Sequence, residues 1–162
     1  DWGMDVSNVT DMSSMFEGAT AFDQNLSWNV SSVTNMASMF ENATNFSGGI
    51  GGWNVSNVTN MRNMFTDAPA FNSDISSWPV TSVGTMRNMF ARAASFNQDI
   101  SSWTVSSVTD MRGMFFEATS FNQDLSGWGV NVSPVVSDCA NFSDGTPAWS
   151  VAQQPNFMSC TP

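Results

Sequence analysis

The sequence predicts an α/β repeat solenoid of about six coils, each with one short parallel strand and one short helix, closed by a divergent C-terminal cap. Three observations carry that expectation. Trp28, Trp53, Trp78, Trp103 and Trp128 recur with a strict 25-residue period, and a fixed period of that size marks one supersecondary unit copied and stacked. The other apolar residues keep the same period. Within each unit, a helical spacing of apolar residues alternates with an extended one.

The third unit runs Trp53, Val55, Val58, Met61, Met64, Phe65, Ala68, Phe71 and Ile75, and Trp78 opens the next. In the second unit Met36, Met39, Phe40 and Ala43 stand at offsets 0, 3, 4 and 7, with Val33 three before. That spacing is one apolar face of a helix of about 8–10 residues. Asp11 and Asp110 sit near its start, where a carboxylate favours the dipole. The stretch from Phe71 through Ile75 to Trp78 is bounded by Asn, Ser and Asp and reads as a short strand with turns. The first unit is slightly short: Trp2 lies two residues early and Met4 holds the aligned position. Residues 1–130 thus make five repeats. Residues 131–162 read as a divergent final coil and cap, with Val136 in the first Met position, Cys139 in the second and Ala140 in the Phe position. Parallel strands stacked ~4.7–4.9 Å apart would give a rod roughly 25–30 Å long.

The run Phe96-Asn97-Gln98-Asp99-Ile100-Ser101-Ser102-Trp103, then Val105 to Met111, then Met114-Phe115, resembles the BspA-type repeat. That repeat occurs in bacterial surface lipoproteins, notably of mycoplasmas, and in surface proteins of some unicellular eukaryotes. The likeness covers residues 4–130. It implies a leucine-rich-repeat-like solenoid, a cell-surface role in adhesion or recognition, and no catalytic residues to carry over. Only Leu26 and Leu125 are leucines, which predicts a straighter or twisted coil in place of a horseshoe.

Fourteen acidic residues face four arginines, with no lysine or histidine, for a formal charge of -10. Such a field repels phosphate backbones and anionic lipid, which argues against nucleic acid as a partner. Charged residues are only 11% of the chain, so Ser, Thr and Asn supply most of the polarity, a surface suited to protein or carbohydrate. No stretch approaches the ~20 apolar residues of a spanning helix, so no membrane insertion is expected within this segment. Repeat sequence is under way by Val6, the expectation for a mature chain or an excised segment. With no His, Lys or Tyr, the usual general bases are missing. The expectation is no enzyme, cofactor or metal.

Several residues could still carry chemistry. Cys139 and Cys160 suggest one disulfide tying the cap in an oxidising compartment, worth roughly 3 kcal/mol for such a loop; two reduced thiols are the alternative. Nine Asn-x-Ser/Thr sequons mark candidate N-glycosylation at Asn8, Asn25, Asn29, Asn42, Asn45, Asn54, Asn57, Asn131 and Asn141. Seven of them precede residue 60, so in a eukaryotic source one end would be sugar-coated; in a bacterial source they would mean nothing. Met36, Met61, Met86 and Met111 could bind a soft metal, but thioethers packed against aromatics in a core ladder are the simpler reading. The periodic tryptophans could stack on sugars or form the same buried ladder. Asp74, Asp99 and Asp124 share one position, where calcium competes with Asx turns beside the Asn72, Asn97 and Asn122 column. Arg62, Arg87 and Arg112 form an outward stripe. Thr10, Thr34, Thr59 and Thr109 stack in a row that Gly84 interrupts, the basis of a minor ice-binding reading.

Together these features predict a non-enzymatic recognition or adhesion module outside the cell or on its surface, presenting a repeat face to protein or glycan. The alternative is a structural subunit of an extracellular filament or sheath, a homopolymer joined through the ends of the coils.

Overall fold

The structure is a computed structural model that describes residues 4–130 and 139–157. Its backbone closes one coil per sequence repeat, and each coil bonds to the next. Around the methionines the amide protons divide regularly. Met36, Ser38, Phe40 and Asn42 donate to the carbonyls of Asn60, Arg62, Met64 and Thr66 in the following coil, at 2.8–2.9 Å. Met39, Glu41, Ala43 and Phe46 donate to carbonyls three residues back, at 3.0–3.3 Å. The same division recurs from Met12, Met61 and Met86.

This division overturns the expected helix. An α-helix commits its N–H groups to carbonyls four residues back, whereas half of these leave for the neighbouring coil. The second and sixth residues after each first methionine also sit in the left-handed region, for example Ser38 at φ 56°, Asn42 at 61°, Asn88 at 53° and Arg92 at 56°. A right-handed helix cannot pass through such residues. The 0, 3, 4, 7 spacing arises equally from consecutive tight turns, and a segment this short does not nucleate a helix alone.

The expected strand is missing for a different reason. Asn97 donates its N–H to Asn72 Oδ1 at 3.0 Å, and Asn122 donates to Asn97 Oδ1 at 2.9 Å. Gln98 and Gln123 Nε2 donate to the carbonyls of Asn72 and Asn97 at 2.9 and 3.0 Å. Side-chain amides thus fill the places that a strand ladder would give to backbone. Among the described residues, regular structure is limited to 3₁₀ turns at Ser126–Val130 and Val151–Gln153 and isolated parallel bridges joining Asp11, Asn35, Asn60, Thr85 and Asp110. The chain is therefore not an α/β solenoid with a helix and a strand per coil, nor a leucine-rich-repeat-like one. It is a pile of turns.

What holds the pile together is its interior. Val58, Met61, Met64, Phe65, Ala68, Phe71 and Ile75 are fully buried, as are their counterparts one coil on, from Val83 to Ile100. Three columns of rings run through this core. Phe40, Phe65 and Phe90 follow at 5.7 and 5.8 Å between centroids, and Phe46, Phe71 and Phe96 at 6.0 and 5.8 Å. Trp53, Trp78, Trp103 and Trp128 follow at 6.2–6.5 Å with planes within 8° of parallel. Within one coil Phe65 and Phe71 approach to 3.7 Å. Each pair adds about 0.5–1.5 kcal/mol beyond the area it buries.

The last coil corrects the sequence alignment of the cap. Gly113 donates to the Ala140 carbonyl at 2.9 Å and Phe115 to that of Phe142 at 2.8 Å. Asn141 and Gly145 have positive φ, 56° and 76°, matching the second and sixth positions of earlier coils. Cys139 therefore holds the first Met position, not the second, and Phe142 holds the second. Trp149 keeps the offset from Cys139 that Phe121 has from Met111. Its indole turns edge-on to Phe115 and Phe121, at 72° and 85°. That rotation ends the parallel stacking.

Candidate functional site

Because the interior absorbs the tryptophans and methionines, the chemistry open to a partner lies on the outer faces. Trp28, Trp53, Trp78, Trp103 and Trp128 are all buried, and Met36, Met61, Met86 and Met111 fully so. Trp53 Nε1 donates to the Leu26 carbonyl at 2.8 Å, and Trp78 and Trp103 Nε1 donate to Ile50 and Ile75 at 3.2 Å. These indoles are committed to the fold and present no stacking platform.

One outer face is a set of hydroxyl and amide columns. Thr34, Thr59 and Thr109 each donate both N–H and Oγ1–H to the carbonyl one coil earlier, the hydroxyl bonds being 3.2 Å. Ser32, Ser82 and Ser107 hydroxyls donate to Ser7, Ser56 and Thr81 carbonyls at 2.6 Å, and Asn57 Nδ2 donates to Ser31 at 2.8 Å. Each hydroxyl proton is therefore used inward, and the oxygen keeps its lone pairs for solvent or a partner. The Thr column and most of its neighbours are exposed. The face is a regular array of acceptors with few charges, Asp11 and Asp110 standing at its margin.

The shared carboxylates are turn formers. Asp74, Asp99 and Asp124 accept the N–H of Ser76, Ser101 and Ser126 at 2.9–3.0 Å. The serine side-chain and backbone hydrogen bonds hold all three carboxyls below the usual carboxylate range. In the equivalent position of an earlier coil, Asn25 Oδ1 accepts the Gly49 N–H at 2.6 Å. Among the described residues no cluster of three or more His, Cys, Asp or Glu could hold a metal ion.

Asn8, Asn25, Asn29, Asn42, Asn45, Asn54, Asn57 and Asn141 are all exposed. Asn131 lies outside the described residues. Cys139 is 1% exposed, and Cys160 lies outside the described residues.

The arginines divide. Arg62 is exposed. Arg112 is held by Asp110 through Nε at 3.0 Å and Nη2 at 2.7 Å. Burial would raise the Asp110 carboxyl, but the Arg112 bonds, with help from the Arg112 and Arg87 charges, bring it below its ordinary range. Arg92, which lies outside the sequence stripe, grips Asp67 with Nε and Nη2 at 2.5 and 2.6 Å. Between Arg87 and Arg112 opens a cavity of about 220 Å³ that also touches Asn88, Gly113, Phe116 and Asn141. Nothing in the sequence period points to it except the glycine at 113, where the two earlier coils have asparagine.

The N-terminal edge is the other unusual surface. Among the described residues no donor reaches the carbonyls of Asp11, Ser13, Met15 or Glu17, whereas those of Asn35, Ala37, Met39 and Glu41 all accept from the coil before. Trp28 Nε1 is buried without a hydrogen-bond partner, beside a cavity of about 270 Å³ between Trp28 and Trp53. Met4 and Met15 are 44% and 42% exposed.

Among the described residues no helix is long and apolar enough to cross a membrane. No curated protein and no solved structure matches the chain. A family model does match, over residues 2–81 and again over 46–157. The overlap of those two spans follows from the sequence period, which lets one model fit at more than one coil. On that match, which covers nearly the whole sequence, the chain belongs to the family described as Mycoplasma protein of unknown function, DUF285.

Proposed function

We propose that this chain is a non-enzymatic recognition module that works outside the cell or on its surface. The observation that carries the reading is the columned face of hydroxyls and amides, in step with the coils and almost free of charge. An acceptor array of that kind suits partners rich in donors, such as glycan hydroxyls or protein backbone and amide groups. Because the contacts repeat, affinity accumulates over many weak sites and does not depend on one pocket. The likeness to BspA-type surface repeats supports the same reading.

A glycan array probed with the whole chain, together with binding to protein-coated surfaces, tests the reading. Retention on either is the expected result; none on both would end it. Intact mass reports the modifications: a mass two hydrogens below the reduced polypeptide marks the disulfide, and hexose increments mark occupied sequons.

The N-terminal edge favours a second reading, a filament or sheath subunit. The carbonyls of Asp11, Ser13, Met15 and Glu17 stand in the row that a preceding coil would serve, whether that coil comes from the same polypeptide or from a second copy. The C-terminal side is covered by Phe142 and Trp149, so copies cannot simply repeat the internal stacking. Ordered fibres in negative stain at low concentration would favour this reading over the first.

A further inference from the structure

The second position after each first methionine forms its own column: Ser38, Asn63, Asn88 and Gly113, with φ of 53–57° throughout. Asn63 Nδ2 donates to Glu41 Oε2 at 3.3 Å, and Asn88 Nδ2 donates to Asn63 Oδ1 at 3.2 Å. The next member should donate to Asn88 Oδ1. Gly113 has no side chain to do so, and Asn88 Oδ1 leans into the space its Cβ would take. The column stops, and the cavity of about 220 Å³ opens where its next side chain would stand.

Two further observations give this cavity a chemistry. Arg87 lines the cavity, and its Nε, buried behind the rest of the guanidinium, has no hydrogen-bond partner. Arg112 is fixed beside it by Asp110. Arg87 brings a positive charge to this wall, in a chain whose total is -10. The half-buried Phe116 ring adds an apolar wall.

We propose that this cavity binds an acidic monosaccharide unit, with its carboxylate against the Arg87 guanidinium, a hydroxyl donating to Asn88 Oδ1, and its C–H face against Phe116. The chemistry chooses this class over other anions. The Arg87 guanidinium calls for an anion, whereas Asn88 Oδ1 calls for a hydroxyl donor on the same ligand. The negative field of the whole chain weighs more heavily on a dianion than on a monoanion. The volume falls below that of drug-sized sites, which limits the occupant to about one ring. The proposal rests on the recognition reading and gives it a ligand class.

The test is an NMR titration of the ¹⁵N-labelled chain with glucuronate, using glucose and inorganic phosphate as controls. Four arginines give a short list of Nε–H signals to follow. Saturable shifts of Arg87 Nε–H and the Gly113 amide are expected with glucuronate and not with glucose, at roughly millimolar affinity. Arg87→Gln should weaken binding roughly tenfold or more, the worth of one charged hydrogen bond. Gly113→Asn restores the residue type of the two preceding coils, fills the cavity, and should abolish the shifts while the melt stays cooperative. No shift with glucuronate, or binding that survives both substitutions, overturns the site. Equal shifts with phosphate overturn the sugar assignment. Glycan-array binding that persists in Arg87→Gln leaves the recognition reading standing and removes this pocket from it; glucuronate binding with a blank array does the reverse.

Discussion

At the scale of single residues, the ring columns dominate. Phe65 touches Phe40, Phe71 and Phe90 and is fully buried. Its replacement by alanine should cost about 3–5 kcal/mol, read as a lower midpoint in urea with little change of slope. The exposed carboxylates act more gently. Asp74, Asp99 and Asp124 are held below their ordinary values by serine hydrogen bonds, so the folded chain takes up protons less readily than the unfolded one. Their stabilisation is complete above the ordinary Asp value of about 3.9 and drains away as pH falls through the lowered values. Melting temperature should drop on acidification, modestly because these groups are solvated, and a triple Asp-to-Asn variant should show a flatter profile. A variant that keeps the wild-type acid sensitivity would remove these turns from the account. The columns themselves are legible in the sequence, because a residue repeated once per coil must meet its own copies. The orphaned Nε of Arg87 is not, since a burial defect leaves no trace in spacing.

At the scale of elements, the coil is built from turns that need the left-handed region twice per repeat. Ser38, Asn42, Asn63, Asp67, Asn88 and Arg92 occupy it without being glycine, and only Gly18, Gly113 and Gly145 are the residue that favours it among the described residues. Asn42 is exposed, so changing it isolates the backbone effect. Asn42→Gly should be neutral or mildly stabilising, whereas Asn42→Val should cost about 1–3 kcal/mol. Equal stability of the two variants would contradict the turn geometry. Far-ultraviolet circular dichroism should likewise lack the helical band near 222 nm. These turns are hidden in the sequence for a physical reason. Bonds to a residue three back repeat apolar positions almost as a helix does, and the polar residues at positive φ carry no single letter that declares them. The cap hides its alignment in a similar way. Cys139 stands three places beyond the point that the period, counted from Met111, assigns to the first Met position. Spacing alone therefore puts Val136 where the structure puts Cys139.

For the whole molecule, long-range connection is strictly between neighbours. The cross-coil side-chain bonds of coils one to five span 22–28 residues, and no ring stacks on one two coils away among the described residues. Stability is then a sum of coil and contact terms along one axis. Damage at one coil should stay local, and protection from hydrogen exchange should fall around Phe65→Ala while remaining high near Phe115. Uniform loss along the chain would show longer-range coupling. The same neighbour-only wiring has a mechanical consequence. Held at its two termini and stretched, such a molecule has no single clasp whose rupture releases everything. It should yield by peeling, each event letting out one coil, roughly 80–90 Å of slack at full extension. A tether of that design absorbs a tug in steps and can rewind when the load is taken away.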